Sequence, residues 1–131
     1  MGPMQTQRPC PVFIVDDSPL IRMRLAEMVS AMSGMRLVGE AASASEAIAG
    51  IKRTQPDTVL LDLNLMGHTG LDVMRAIRPL SPGIVFVVLT NHSEPQYRRA
   101  SIQAGAAYFL DKSSEFGRVS GVLAEIASTR H

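Results

Sequence analysis

At 131 residues, 46% of them apolar, the chain is the size of one domain and carries enough apolar material for a hydrophobic core. Thirteen basic side chains against twelve acidic leave a net charge of +1, which excludes the broad positive field of a nucleic-acid binder, and no apolar run approaches the ~20 residues that cross a bilayer. The single cysteine, Cys10, excludes an internal disulfide; between Pro9 and Pro11 it reads as an idle thiol, and the first residues do not read as an export signal, so a reducing cytoplasm is expected.

Residues 1–10, rich in Pro and Gly and without periodicity, are expected to form a disordered leader with no function, and 11–131 a single domain. Val12, Phe13, Ile14 and Val15 make a continuous apolar run, the pattern of a strand buried on both faces, and it stops at Asp16-Asp17. Ser18-Pro19 supplies a cap and a first-turn proline for a helix whose apolar positions are Ile21, Leu25, Met28, Val29 and Met32, ending by Gly34. Residues 36–42 read as a second strand, and Ser43 with Glu46 as a capping box before Ala47, Ile48 and Ile51. A third strand over 58–61 ends on Asp62. A glycine-bearing loop, 64–70, leads into a helix with Val73, Met74 and Ile77 inward. The unbroken run 84–89 predicts a central strand ending at Thr90, and 94–103 a helix closed by Gly105. Residues 107–110 form a fifth strand, followed by Asp111-Lys112. Ser114 is the expected cap of a last helix using Phe116, Val119, Val122, Leu123 and Ile126.

Five strands alternating with five helices imply an α/β fold, an open doubly wound parallel sheet whose binding crevice lies outside the carboxyl ends of the strands. Asp16, Asp17, Asp62, Thr90 and Lys112 all fall at that edge. Singly, each has a plain explanation in helix starts, turns or solvated charge. Together, three carboxylates would repel unless a cation were bound, and carboxylates with a loop carbonyl and waters suit Mg²⁺. A carboxylate held against such a metal can attack phosphorus and form an acyl phosphate, while an ammonium and a hydroxyl steady the equatorial oxygens. Asp62, alone on the middle strand, is the nucleophile in this reading; the adjacent Asp16 and Asp17 are the pair that shares a metal.

Val-Asp-Asp-Ser, Leu-Leu-Asp-Leu-Asn with Gly70 eight residues beyond the acid, Val-Leu-Thr, and Ala-Gly-Ala-x-x-Phe-Leu-x-Lys together resemble the CheY-like receiver domains of two-component response regulators, over nearly all of 11–127. The resemblance implies the flavodoxin-like (βα)5 strand order 2-1-3-4-5. It implies phosphorylation of Asp62 by a sensor histidine kinase, a phosphotransfer protein or a small acyl phosphate. Mg²⁺ would be held by Asp16, Asp17, Asp62 and the backbone carbonyl of Asn64, Lys112 and Thr90 would contact the phosphoryl oxygens, and Phe109 would be the aromatic that turns inward as Thr90 moves. Such a domain is not an enzyme acting on an external substrate.

Several positions depart from the family pattern. Met66 stands where proline is usual, which predicts a less rigid loop. Ser113 replaces the proline that often follows the lysine in a cis bond; cis here would cost ~2.5 to 4 kcal/mol, so trans or a strained cis bond is expected. Asn91 and His92 follow the threonine where the family favours a small residue, and are expected either to modulate phosphorylation, together with Asn64, or simply to face water.

Only 19 residues follow Lys112, too few for a helix-turn-helix. The expected partner is therefore a downstream target protein or a removed output domain, reached through a surface on the fourth helix, fifth strand and fifth helix. Arg98, Arg99, Tyr97 and Tyr108 are candidates for it, and a homodimer stays open. Neither nucleic acid nor membrane is expected to bind directly. Rival readings are a receiver-like interaction module without phosphorylation, a haloacid-dehalogenase-like phosphohydrolase, which wants a second Asp where Asn64 stands, and a flavin-binding module, which wants a less acidic first loop.

Overall fold

The computed structural model describes residues 8–66 and 68–129; most of the expected leader, 1–7, lies outside the described residues. The elements run in strict alternation: β1 (Cys10–Val15), α1 (Pro19–Ser30), β2 (Met35–Ala41), α2 (Ala44–Thr54), β3 (Thr58–Leu61), α3 (Gly70–Ile77), β4 (Val85–Thr90), α4 (Pro95–Ala104) and β5 (Ala106–Asp111). A short helix α5 (Lys112–Glu115), a 3₁₀ turn (Phe116–Arg118) and helix α6 (Val119–Thr129) replace the single last helix predicted. The strands form one parallel sheet in the order β2-β1-β3-β4-β5, the doubly wound order expected.

Each apolar strand feeds both faces because successive side chains alternate. Phe13, Val15, Val59, Leu61, Phe86, Val88 and Phe109 meet α2 and α3 on one side. Val12, Ile14, Leu60, Val87, Leu89 and Leu110 meet Leu25 and Val29 of α1 and Val119, Val122, Leu123 and Ile126 of α6 on the other. Phe13 fits between β2 and α2 only because Gly39 and Gly50 carry no side chain: a Cβ at either would stand about 2.5 Å from the ring.

Caps follow the predicted chemistry at the first two helices. Ser18 Oγ accepts from the Ile21 amide at 3.3 Å with Pro19 opening α1, and Ser43 Oγ accepts from the Glu46 amide while Glu46 reaches back to the Ala42 amide. At the last helix the prediction is corrected. Asp111, not Ser114, caps α5, its carboxylate accepting from the amides of Ser113 and Ser114 and the Ser113 hydroxyl. Cys10 is corrected as well: it begins β1, pairs with Met35, and is fully buried with Sγ 3.6 Å from Thr58 Oγ1. Its thiol is sheltered by burial, not by a leader. Pro11 is tolerated beside it because pairing to β3 starts only at Val12.

Candidate functional site

Strand register brings the acids level. Val15 pairs with Leu61, so each strand's next residue, Asp16 and Asp62, emerges together at the carboxyl end of the sheet, and the Asp62 amide donates to Val15 O at 2.9 Å. Carboxylate oxygens of Asp16, Asp17 and Asp62 all lie within 4.8 Å of one another. Lys112, delivered by β5 from 96 positions away in sequence, places Nζ 2.8 Å from Asp16 Oδ2 and 2.7 Å from Asp62 Oδ2. Both carboxylates are buried, at 1% and 5% exposure.

Burial pushes the Asp16 carboxyl above its ordinary pKa, and the hydrogen bonds from Lys112 and the Ser18 amide pull it only part of the way back. Burial pulls the Lys112 ammonium down, but its bonds to Asp16 and Asp62 outweigh that and leave its pKa raised. Three carboxylates against one ammonium leave two negative charges uncompensated, the number a divalent cation brings. Asp17, half-buried, has no hydrogen-bond or ion-pair partner among the described residues and so offers a free oxygen. This all-oxygen donor set fits a hard cation of the magnesium kind.

Thr90 is fully buried at the end of β4, and its Oγ1 accepts from the His92 amide at 3.2 Å. Asn64 is exposed; its amide donates to Asp62 Oδ1 at 3.1 Å and its backbone bridges Thr69. A second backbone bridge joins Met66 to Ser43, so the loop after Asp62 is tied at two points without the usual proline. Gly70 opens α3 hard against this loop, where a Cβ would run into the Asp62 carbonyl oxygen and come within 3.1 Å of Leu61 Cγ and Leu63 Cα. Phe109, 7% exposed, lies in the core beneath the Arg98 guanidinium, 4.7 Å from the ring centroid. Asn91 faces solvent. His92 is half-buried, packs on Tyr97 with centroids 5.3 Å apart, and lines a cavity of about 200 Å³ with Leu63, Asn64, Thr69 and Leu71.

The Lys112-Ser113 peptide is trans, like every bond among the described residues. Asp111 shapes this loop instead of a proline. Hydroxyl bonds from Ser113 and Ser93 and the Ser114 amide hold its carboxyl well below the usual carboxylate range. Asp111 was missed in the sequence because a strand-end acid beside a lysine looks like solvated charge. Arg22 was missed too: from α1 its Nη1 donates to the Asp16 carbonyl at 2.7 Å.

Comparison with known proteins agrees with this geometry. The family description "Response regulator receiver domain" matches residues 12–123. The response regulator GacA of Pseudomonas viridiflava is 32% identical over 103 residues, 79% of this chain and 48% of GacA. The nitrate/nitrite response regulator protein NarL of Escherichia coli (strain K12) is 32% identical over 114 residues, 86% of this chain and 52% of NarL. The chain thus spans about half the length of these relatives. A crystal structure of a two-component response regulator of the LuxR family from Aurantimonas sp. SI85-9A1 superposes with a TM-score of 0.85 at 28% identity, covering 94% of this chain and 88% of that one.

Proposed function

This chain belongs to the response regulator receiver domain family, a family of signalling domains, and on that premise we propose that Asp62 is its phosphoacceptor in a magnesium-dependent reaction. The observation that carries the reading is the double contact of Lys112 with Asp16 and Asp62 beside a free Asp17. Asp16, Asp17, Asp62 and the Asn64 carbonyl would hold Mg²⁺, which when bound neutralises charge on the transferring phosphoryl oxygens.

An Asp62 carboxylate oxygen attacks phosphorus of a phosphohistidine or an acyl phosphate. The bond from phosphorus to the donor nitrogen or oxygen breaks, its electron pair leaves with the donor, and an aspartyl phosphate results. Lys112 follows the charge outward onto the new oxygens. The Thr90 hydroxyl, accepting from the His92 amide, keeps its own proton to donate. Movement of Thr90 towards the phosphoryl group would draw Phe109 further inward and alter the surface of α4, β5 and α6. The donor is a sensor histidine kinase or phosphotransfer protein in the cytoplasm, and the recipient a target protein, an output domain or a second copy. Asn64 in place of a second acid disfavours a phosphohydrolase. Asn64, Asn91 and His92 tune the chemistry at its rim.

The test is intact mass after incubation with acetyl phosphate and Mg²⁺, beside Asp62→Ala, with and without chelator. One added phosphoryl group is expected, lost in the variant and with chelator. No gain in the wild type would sink the reading in favour of an interaction module.

A further inference from the structure

Asp16 is held from every direction. Its amide donates to Ala41 O at 3.1 Å, its Oδ1 accepts from the Ser18 amide at 2.9 Å, and its Oδ2 accepts from Lys112. Its carbonyl is taken by a side chain: Arg22 Nη1, at 2.7 Å. Arg22 sits one turn into α1, bonded through its amide to Ser18 O, and side chains on a helix lean towards the N-terminus, which carries its guanidinium back over the junction between β1 and the helix. The other side of that guanidinium, Nε, pairs with Glu40 on β2 at 3.5 Å, and the Arg22 side chain is only 21% exposed.

An arginine can hold two acceptors in one fixed plane, whereas a lysine is a single point of charge. Here the two acceptors belong to different elements, the edge strand β2 and the two-acid turn. We propose that Arg22 is a positioning residue for the metal-binding acids: by clamping the Asp16 carbonyl to Glu40, it fixes the direction in which Asp16 and Asp17 leave β1. This inference rests on the metal-dependent reading of the site. Arg22 touches neither the metal nor the phosphoryl group; it acts through the backbone that carries the ligands, as outer partners of metal ligands do.

The experiment is calorimetric titration of Mg²⁺ into the full chain, wild type beside R22A, R22K and E40Q. Outer-sphere partners of metal ligands typically contribute about 10- to 100-fold in affinity, and a loss in that range is expected for R22A. R22K recovers part of it, and E40Q, which leaves the bond to Asp16 intact, loses less than R22A. In acetyl phosphate labelling, the Mg²⁺ concentration for half-maximal rate rises in R22A while the rate at saturating Mg²⁺ returns to that of wild type. A purely structural role would lower thermal stability and leave the Mg²⁺ isotherm alone. Folded R22A with wild-type Mg²⁺ affinity overturns the proposal; should R22A not fold, unchanged affinity in R22K and E40Q does the same. Wild type that takes up no Mg²⁺ overturns the metal site itself, and the role of Arg22 with it.

Discussion

Asn91 and His92 adjoin the same buried threonine but have different freedom. His92 spends its amide on Thr90 Oγ1 and its ring on Tyr97, whereas the Asn91 side chain is exposed and uncommitted among the described residues. If Asp62 is phosphorylated as proposed, Asn91 would be the residue with a side chain free to orient a water there. Losing one such hydrogen bond is worth about 1 kcal/mol, or about fivefold in rate, so Asn91→Ala should lengthen the half-life of the phosphorylated form by that factor after donor is removed. An unchanged half-life would make Asn91 an ordinary solvent-facing loop residue.

The same contrast explains what could be read in advance. Asp16, Asp17, Asp62, Thr90 and Lys112 stood out because all five fall at the carboxyl edge of one sheet, where three carboxylates would repel unless a cation were bound. Arg22 gave no such signal: an arginine on a helix is most often solvated, and only the bend of the chain shows that it reaches back to Asp16. Asp111 gave no signal either, because a strand-end acid beside a lysine looks like solvated charge.

At the scale of elements, most boundaries moved by a residue or two, while every strand and the first four helices kept their type. The run 84–89 became Val85–Thr90 because hydrogen bonding to β5 continues to the Thr90–Asp111 pair. The last helix broke into α5, a 3₁₀ turn and α6, since Asp111 starts helical structure three residues before the expected Ser114 cap. Helix α4 was marked by its stop at Gly105 and carries little periodicity, for only Ser101 is buried along it, and that hydroxyl has no partner among the described residues.

The junction between β3 and α3 yields a prediction of this scale. Gly70 touches the Asp62 carbonyl so closely that Gly70→Ala must displace either the helix or the Asp62 backbone. A loss of about 1 to 3 kcal/mol in urea unfolding is expected, as for other overpacked sites, together with slower labelling by acetyl phosphate. Gly83→Ala, with nothing within 4 Å of the added methyl, should be neutral or gain about 0.4 to 1 kcal/mol by restricting the unfolded chain. Equal behaviour of the two variants would refute the steric argument.

For the whole molecule, the proposed metal site predicts that stability depends on the cation, because charge at one end of the sheet is otherwise uncompensated. Binding only to the folded state stabilises by about 2.7 kcal/mol at 100 times Kd, and each kcal/mol moves Tm by roughly 3 to 6 °C in a chain of this size. Tm should therefore climb with Mg²⁺, fall back with chelator, and respond far less in Asp17→Asn. A Tm indifferent to Mg²⁺ in the wild type would show that the acids are kept for another purpose.

The ion pair between Lys112 and Asp16 joins groups 96 positions apart, with four strands, β2 to β5, lying between them in the chain. A chain emerging during synthesis already owns all three acids when β3 is made, yet it lacks their ammonium until the fifth strand is in place. On the proposed function, competence to accept a phosphoryl group would thus arise only once β5 has been made, and a copy cut short before it would carry the acids without the Lys112 ammonium.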